Sequence, residues 1–338
     1  MLYVTTRDDR DAFTAHRVLH ENTAPDGGAY IPFCMPTFSR DEIVEYAASG
    51  FSETVAAVLN RFFSSHLTGW DVDFCIGRNA VNLVPMSHRI LVAELWHNPD
   101  GAYSHICYSL FKKICGTESG KATEWFLLAT HIGILFGIYS EMCRAGVVSP
   151  GEMVEITVTE EDLSLPVAAV YAHQMGLPIE MIILTSDENS ALWDLICQGE
   201  LNSPLDSVSA VYYERLIHAI LGKNSVTALQ DALRCGKTFY VDEEQLALFN
   251  QLLFCAVTGK DRSSQNVNSI YRSNSYIIDP TAALSVGGLQ DFRAKTGVSK
   301  MSLVLSCTSP MNCIPQICDA TGIAKEKLLQ FLKTPRNG

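Results

Sequence analysis

Short apolar runs alternate with longer stretches of helical spacing along this chain. Residues 89–95, 153–158, 180–185 and 301–306 are rich in Ile, Val and Leu without strict apolar–polar alternation. Strands covered on both faces read this way, because neither face meets water. Elsewhere apolar residues recur at three- and four-residue spacing, which predicts helices over 40–48, 52–65, 104–114, 123–144, 166–175, 189–199, 208–221 and 243–257. Ser39 is placed to cap the first of these, and Gly176 with Pro178 ends the fifth. The alternation predicts an α/β fold with a parallel open sheet covered by helices. The apolar run at 125–139 is too short for a bilayer and contains His131, so it reads as a buried helix. The expected organisation is an N-terminal region, 1–86, followed by an α/β core, 87–338. There is no internal repeat or low-complexity tract.

Composition narrows the function classes. Of 338 residues, 47% are hydrophobic and 18% charged, enough for a substantial core and contrary to disorder. The net charge of −12 disfavours nucleic acid and acidic membrane surfaces as partners. The 11 cysteines are scattered without a CxxC pair, which suits a reducing compartment. With no signal-peptide core in the opening residues, a cytoplasmic location is expected. Cys307, Cys313 and Cys318 are the densest group, but their spacing fits no zinc pattern, so they read as small apolar residues.

The loop at 96–105 should follow a strand end and lead into a helix, a common ligand position in open α/β sheets. Its candidate pocket residues are Trp96, His97, Asp100, Tyr103, Ser104 and His105. One reading is a small-molecule pocket, or a metal held by His97, Asp100 and His105. The plainer reading is a solvated loop with local hydrogen bonds, which the turn signal Asp100-Gly101 favours. Three donors without fixed spacing are a weak metal signal, so no metal is predicted. Ser104 and His105 do not read as a nucleophile–base pair, because adjacent helical residues point about 100° apart. His97 and His131 read as structural histidines.

Several segments, taken in order, resemble the threonine synthase family. Residues 94–105, ELWHNPDGAYSH, resemble the motif ELFHGPTLAFKD, in which that family holds pyridoxal phosphate (PLP). Glu94, Leu95, His97, Pro99 and Ala102 are the matching residues. The opening YVTTRDD and residues 24–32, APDGGAYIP, are similar to YxSTRG and ASDGGLYVP. Residues 51–62 resemble a helix of the family's N-terminal region. Residues 172–179, AHQMGLPI, are similar to AKRMGLPI, and 203–216, SPLDSVSAVYYERL, to SPSMDISVSSNFERL. DPTA at 279–282 and LSCTSPMNCIP at 305–315 resemble DPHTA and LSTAHPAKFP.

The resemblance implies PLP fold type II and a PLP-dependent lyase ancestry, yet the site positions depart from it. Ser104 stands at the cofactor lysine, and His105 at the following aspartate. A hydroxyl cannot form the imine that an amine forms with the aldehyde of PLP. The family's phosphate cradle PTGNFGD corresponds to TEEDLSL at 159–165, where Glu160, Glu161 and Asp162 replace an anion-binding turn. One carboxylate some 5 Å from a phosphate dianion would repel it by roughly 1–3 kcal/mol. Lys112 cannot stand in for the lysine, since it lies about 12 Å further along the same predicted helix. The connector 115–124, CGTESGKATE, takes the place of a whole lobe, so most of the small mobile lobe is expected to be missing. The expectation is therefore a shortened, degenerate member with PLP lost as cofactor. It would be catalytically inactive and would bind a small molecule or a protein, a second copy included. The alternatives are a PLP-free enzyme with remodelled chemistry in the same cleft, or a threonine synthase-like lyase by ancestry.

Overall fold

The computed structural model describes residues 1–98, 101–116, 120–186, 190–202 and 205–333. Strand β1 (Leu2–Thr5) pairs antiparallel with β2 (Phe13–Thr14) and β3 (Tyr30–Pro32), with α1 (Ala15–His20) between the last two. Helices α2 (Arg40–Ser49), α3 (Phe51–Phe63) and α4 (Gly69–Ile76) complete the N-terminal region. Ser39 caps α2 in a reciprocal capping box with Glu42. Then come β4 (Asn82–Met86), β5 (Ile90–Glu94), α5 (Tyr103–Cys115), α6 (Glu124–Arg144), β6 (Val154–Thr159), α7 (Ser164–Gln174) and β7 (Ile179–Ser186). A short turn α8 (Ala191–Trp193) runs into a π-helix (Asp194–Gln198), followed by β8 (Glu200–Leu201), α9 (Ser207–Leu221), α10 (Lys223–Arg234), β9 (Phe239–Tyr240) and α11 (Glu243–Asn250). The chain continues through β10 (Leu253–Val257), α12 (Lys260–Asn274), α13 (Pro280–Thr296), β11 (Ser302–Ser306), α14 (Ile314–Thr321) and α15 (Lys325–Lys333).

The central sheet has the order β10-β7-β6-β11-β5-β4. Every neighbouring pair is parallel except β4 with β5. All residues of β5, β6 and β11 are buried, as strands between two helical layers must be. One layer, α12, α13 and α14, closes a core around Val92, Ile183, Val304, Leu289 and Phe292. The other face carries the larger core, with α6 packed against α3, α7 and α2. By length and composition α6 could cross a membrane, but it is the buried central helix of this core.

The expected strands and the expected helix α6 stand where the pattern put them. Two expected helices differ. The stretch 243–257 is a helix only to Asn250, and its end is the edge strand β10, paired with β7. A short apolar run carries no periodicity that separates a helix end from a strand. The stretch 189–199 becomes a three-residue turn and a π-helix, and its first residue lies outside the described residues. Strand β4 went unread because Pro85 interrupts it; as the sheet edge it tolerates the missing N–H. Gly176 ends the α7 segment with φ +103°, and a Cβ there would lie 2.6 Å from the Phe38 carbonyl oxygen, so only glycine fits.

Candidate functional site

The loops that follow β5, β6 and β11 meet beside the first turns of α5, α7 and α13. Glu94 closes β5 and is almost fully buried. It accepts hydrogen bonds from Asn82 Nδ2 (2.8 Å), Tyr276 O–H (2.8 Å) and His97 Nε2 (2.7 Å). Burial pushes its carboxyl up, but the three donors outweigh that and leave it below the ordinary range. His97 is therefore a partner of Glu94, with its ring stacked on Trp96 at 4.0 Å between centroids.

Trp96 is anchored in turn. Its Nε1–H donates to Ser306 Oγ (3.1 Å), and the Ser306 hydroxyl donates to Asp279 Oδ2 (2.6 Å). The other Asp279 oxygen caps α13 by accepting the Ala282 N–H (2.9 Å). Burial raises the Asp279 carboxyl to about 6, against the pull of these donors. The backbone joins the same loops: Tyr103 N–H donates to the Cys307 carbonyl (3.3 Å), and Ala102 bridges Thr308.

Ser104 sits exposed in the first turn of α5. His105 Nε2 contacts Ser109 Oγ (3.2 Å), one turn along its own helix. Tyr103 is buried, its ring 5.1 Å from that of His131, and burial pushes its hydroxyl well up. The α5 lysines are committed at the far end: Lys113 pairs with Asp71 of α4 (2.7 Å) and Lys112 lies 4.4 Å over the Tyr108 ring. Asp100 lies outside the described residues. His97 and His105 are thus held by separate partners. Among the described residues no three His, Cys, Asp or Glu side chains converge as a metal site.

The three acidic residues before α7 diverge. Glu160 accepts from the hydroxyls of Ser186 (2.8 Å) and Ser190, and Glu161 accepts from Thr281 (3.2 Å). Asp162 turns onto the start of α7, where it accepts the Ser164 N–H (2.9 Å) and the Ser164 hydroxyl. Ser164 Oγ also contacts His131 Nδ1 at 2.9 Å. A hydroxyl has one proton, and it points to Asp162; His131 must therefore carry its proton on Nδ1 and donate it to Ser164. Burial holds His131 down at about 4, with Asp162 opposing, so its ring is neutral at physiological pH. The order Asp–Ser–His puts the hydroxyl in the middle, whereas a serine nucleophile needs the histidine there. The group braces the start of α7.

Sequence reasoning placed Trp96, Ser104 and the acidic trio at this end of the sheet. It missed the roles of Asp279, Ser306, Ser164 and His131. The segments 279–282 and 305–315 had been singled out, but nothing along the chain shows that Ser306 meets Asp279 or Trp96. The matched opening segments are also explained by contacts. Glu214 of α9 is buried and pairs with Arg7 (2.9 Å), Gln230 (2.6 Å) and the Thr6 hydroxyl. Asp26 accepts from Thr5 Oγ1 (2.6 Å) and the Gly28 N–H (2.8 Å). A separate solvent-open depression of about 560 Å³, lined by Trp70, Arg78 and Arg144, lies away from these loops. Its arginines face Asp73 and Glu141.

Fold and site together define a helix-covered, mostly parallel α/β protein whose strand-end loops are joined by hydrogen bonds. Residues 2–79 match the family model described as Threonine synthase N terminus. The chain is 19% identical to threonine synthase of Pseudomonas aeruginosa, over 97% of this chain and 92% of that protein. That alignment runs for 436 positions, more than the 338 residues here, so the relative has segments without a counterpart in this chain. Threonine synthase-like 1 of Homo sapiens is 24% identical over 181 residues, half of this chain but only 24% of that relative's length. Among solved structures, PLP-bound threonine synthase from Brucella melitensis superposes with a TM-score of 0.81 at 17% identity, covering 99% of this chain and 95% of that one. Threonine synthase from yeast gives 0.79 at 15%, covering 99% and 94%. The chain thus matches the threonine synthase family in its N-terminal residues and shares the fold of the solved threonine synthases.

Proposed function

We propose that this chain is a threonine synthase-like protein that has given up covalent PLP and the family's lyase reaction, and works by binding. The observation that carries the reading is Ser104: a side chain without an amine stands where the resemblance puts the cofactor lysine, and both α5 lysines are engaged elsewhere. The start of α7 adds independent support. Its Ser164 N–H, a donor that would face a phosphate, already serves the chain's own Asp162 carboxylate. On this reading the residues do not fit PLP, and the short α5–α6 connection reflects the loss of most of the small lobe. The partner is then a small molecule at the strand-end cleft or a protein, a second copy of this chain included. A cytoplasmic setting belongs to the same reading.

A PLP-free enzyme in the same cleft is less well supported, because His97 is committed to Glu94 and His105 faces Ser109. The test is titration of the purified chain with PLP under visible light, followed by an assay for threonine formation from O-phosphohomoserine. The reading expects no imine band and no turnover. A saturable imine band together with turnover would overturn it.

A further inference from the structure

Another depression opens at the opposite end of the sheet, where β6 and β7 begin. It holds about 470 Å³ between the start of α2, the segment before β6 and the turn that joins α7 to β7. Ile43, Met153, Leu177 and Pro178 supply its apolar walls, and Arg40 and His173 its polar side chains. Ile43, Leu177 and Pro178 are buried, but Met153 is 36% exposed. His173 is turned to the backbone: its Nδ1 lies 3.2 Å from the Ile179 carbonyl, which can only accept, so that nitrogen carries the proton. Arg40 is exposed, and among the described residues its guanidinium makes no ion pair or hydrogen bond. It lies against Gly151, where an added Cβ would be 3.6 Å from Arg40 Nε. Among the described residues no Asp or Glu lines the depression. Glu42 and Glu152, close in sequence to lining residues, are occupied elsewhere: Glu42 completes the cap of α2 and pairs with Arg61, and Glu152 accepts the Ser149 N–H (3.0 Å). In a chain of net charge −12, this is a locally cationic opening with apolar walls.

We propose that this depression binds a small monocarboxylate with a short apolar chain, its carboxylate on the Arg40 guanidinium and its chain along Ile43, Met153, Leu177 and Pro178. The volume falls in the range of small-molecule sites, and the guanidinium fork matches the two oxygens of a carboxylate. A dicarboxylate would press a second charge against apolar walls that offer it no partner. An amine would meet the like charge of Arg40. The bound acid would bridge α2 of the N-terminal region to the segments that lead into β6 and β7, and so stabilise their junction by mass action. The depression faces away from the loops that carry Ser104, because those follow the strands and this one precedes them. The assignment therefore stands apart from the fate of PLP.

Hexanoate is the probe, titrated into the full chain by calorimetry and by saturation-transfer NMR. Binding should saturate, and should weaken about two- to fourfold for each methylene removed, from hexanoate through pentanoate to butanoate. Hexylamine tests the charge, and should not bind saturably. Arg40→Gln should weaken hexanoate about tenfold or more, as expected for loss of a charged hydrogen-bond partner. Met153→Glu, which sets a carboxylate at the opening, should abolish binding. Both side chains are exposed, so both variants should fold, and circular dichroism checks that they do. Failure of hexanoate to saturate the natural chain would overturn the proposal. So would hexylamine binding as tightly as hexanoate, or hexanoate binding unchanged in either variant.

Discussion

Asp279 and His131 are buried titratable groups displaced in opposite directions, and their effects on stability oppose each other. Asp279 is raised to about 6 from 3.8, so between those values the folded state holds the extra proton and stability falls as pH rises. His131 is lowered to about 4 from 6.5, so the unfolded state holds the extra proton and stability rises over that window. The natural chain should therefore show a shallow profile between about pH 4 and 6 from this pair, where each alone contributes up to ~1.4 kcal/mol per pH unit. Asp279→Asn should unmask a rising slope and His131→Gln a falling one, read by urea unfolding at several pH values. Unchanged slopes in both variants would refute the assignment. Ser104, exposed on its helix, makes a contrasting case: Ser104→Ala should change stability by no more than about 0.5 kcal/mol. A loss several times larger would show that Ser104 has a structural role unrelated to the missing amine.

Between elements, the matched segments act as fasteners. Glu214 holds β1's loop to α9 and α10 through Thr6, Arg7 and Gln230. Glu214→Ala strands buried donors and should cost about 3 kcal/mol, less than a fully buried pair because Arg7 is partly exposed. A loss below ~1 kcal/mol, the range of surface ion pairs, would contradict that role. Asp162→Ala should cost roughly 1 kcal/mol, the value of a lost helix-start contact. Denaturant midpoints measure both. The central strands and α6 were legible in the sequence, because long apolar runs leave few alternatives. The end of the 243–257 segment was not, because its five-residue strand is shorter than one period test. Helix α13 carries weak periodicity, α12 is polar overall, and the β1–β3 strands are very short, so these take their places from tertiary contacts.

Over the whole molecule, the fold and the likeness to threonine synthase could be read from ordered motifs. What the motifs could not show was the destination of each polar group. Glu94 meets Tyr276, and Asp279 meets Ser306, across long sequence separations. The acidic trio read as one repulsive cluster, but each of its members goes to partners of its own once the loops close. On the function proposed above, these contacts hold the fold while Ser104 leaves a hydroxyl where the resemblance puts the cofactor lysine. Intact-mass spectrometry after incubation with PLP and borohydride reduction tests this directly, with Ser104→Lys run alongside. The account predicts no site-specific PLP adduct on the natural chain, and none on the variant either while Asp162 occupies the start of α7. A stoichiometric adduct mapped to one lysine of the natural chain would contradict it.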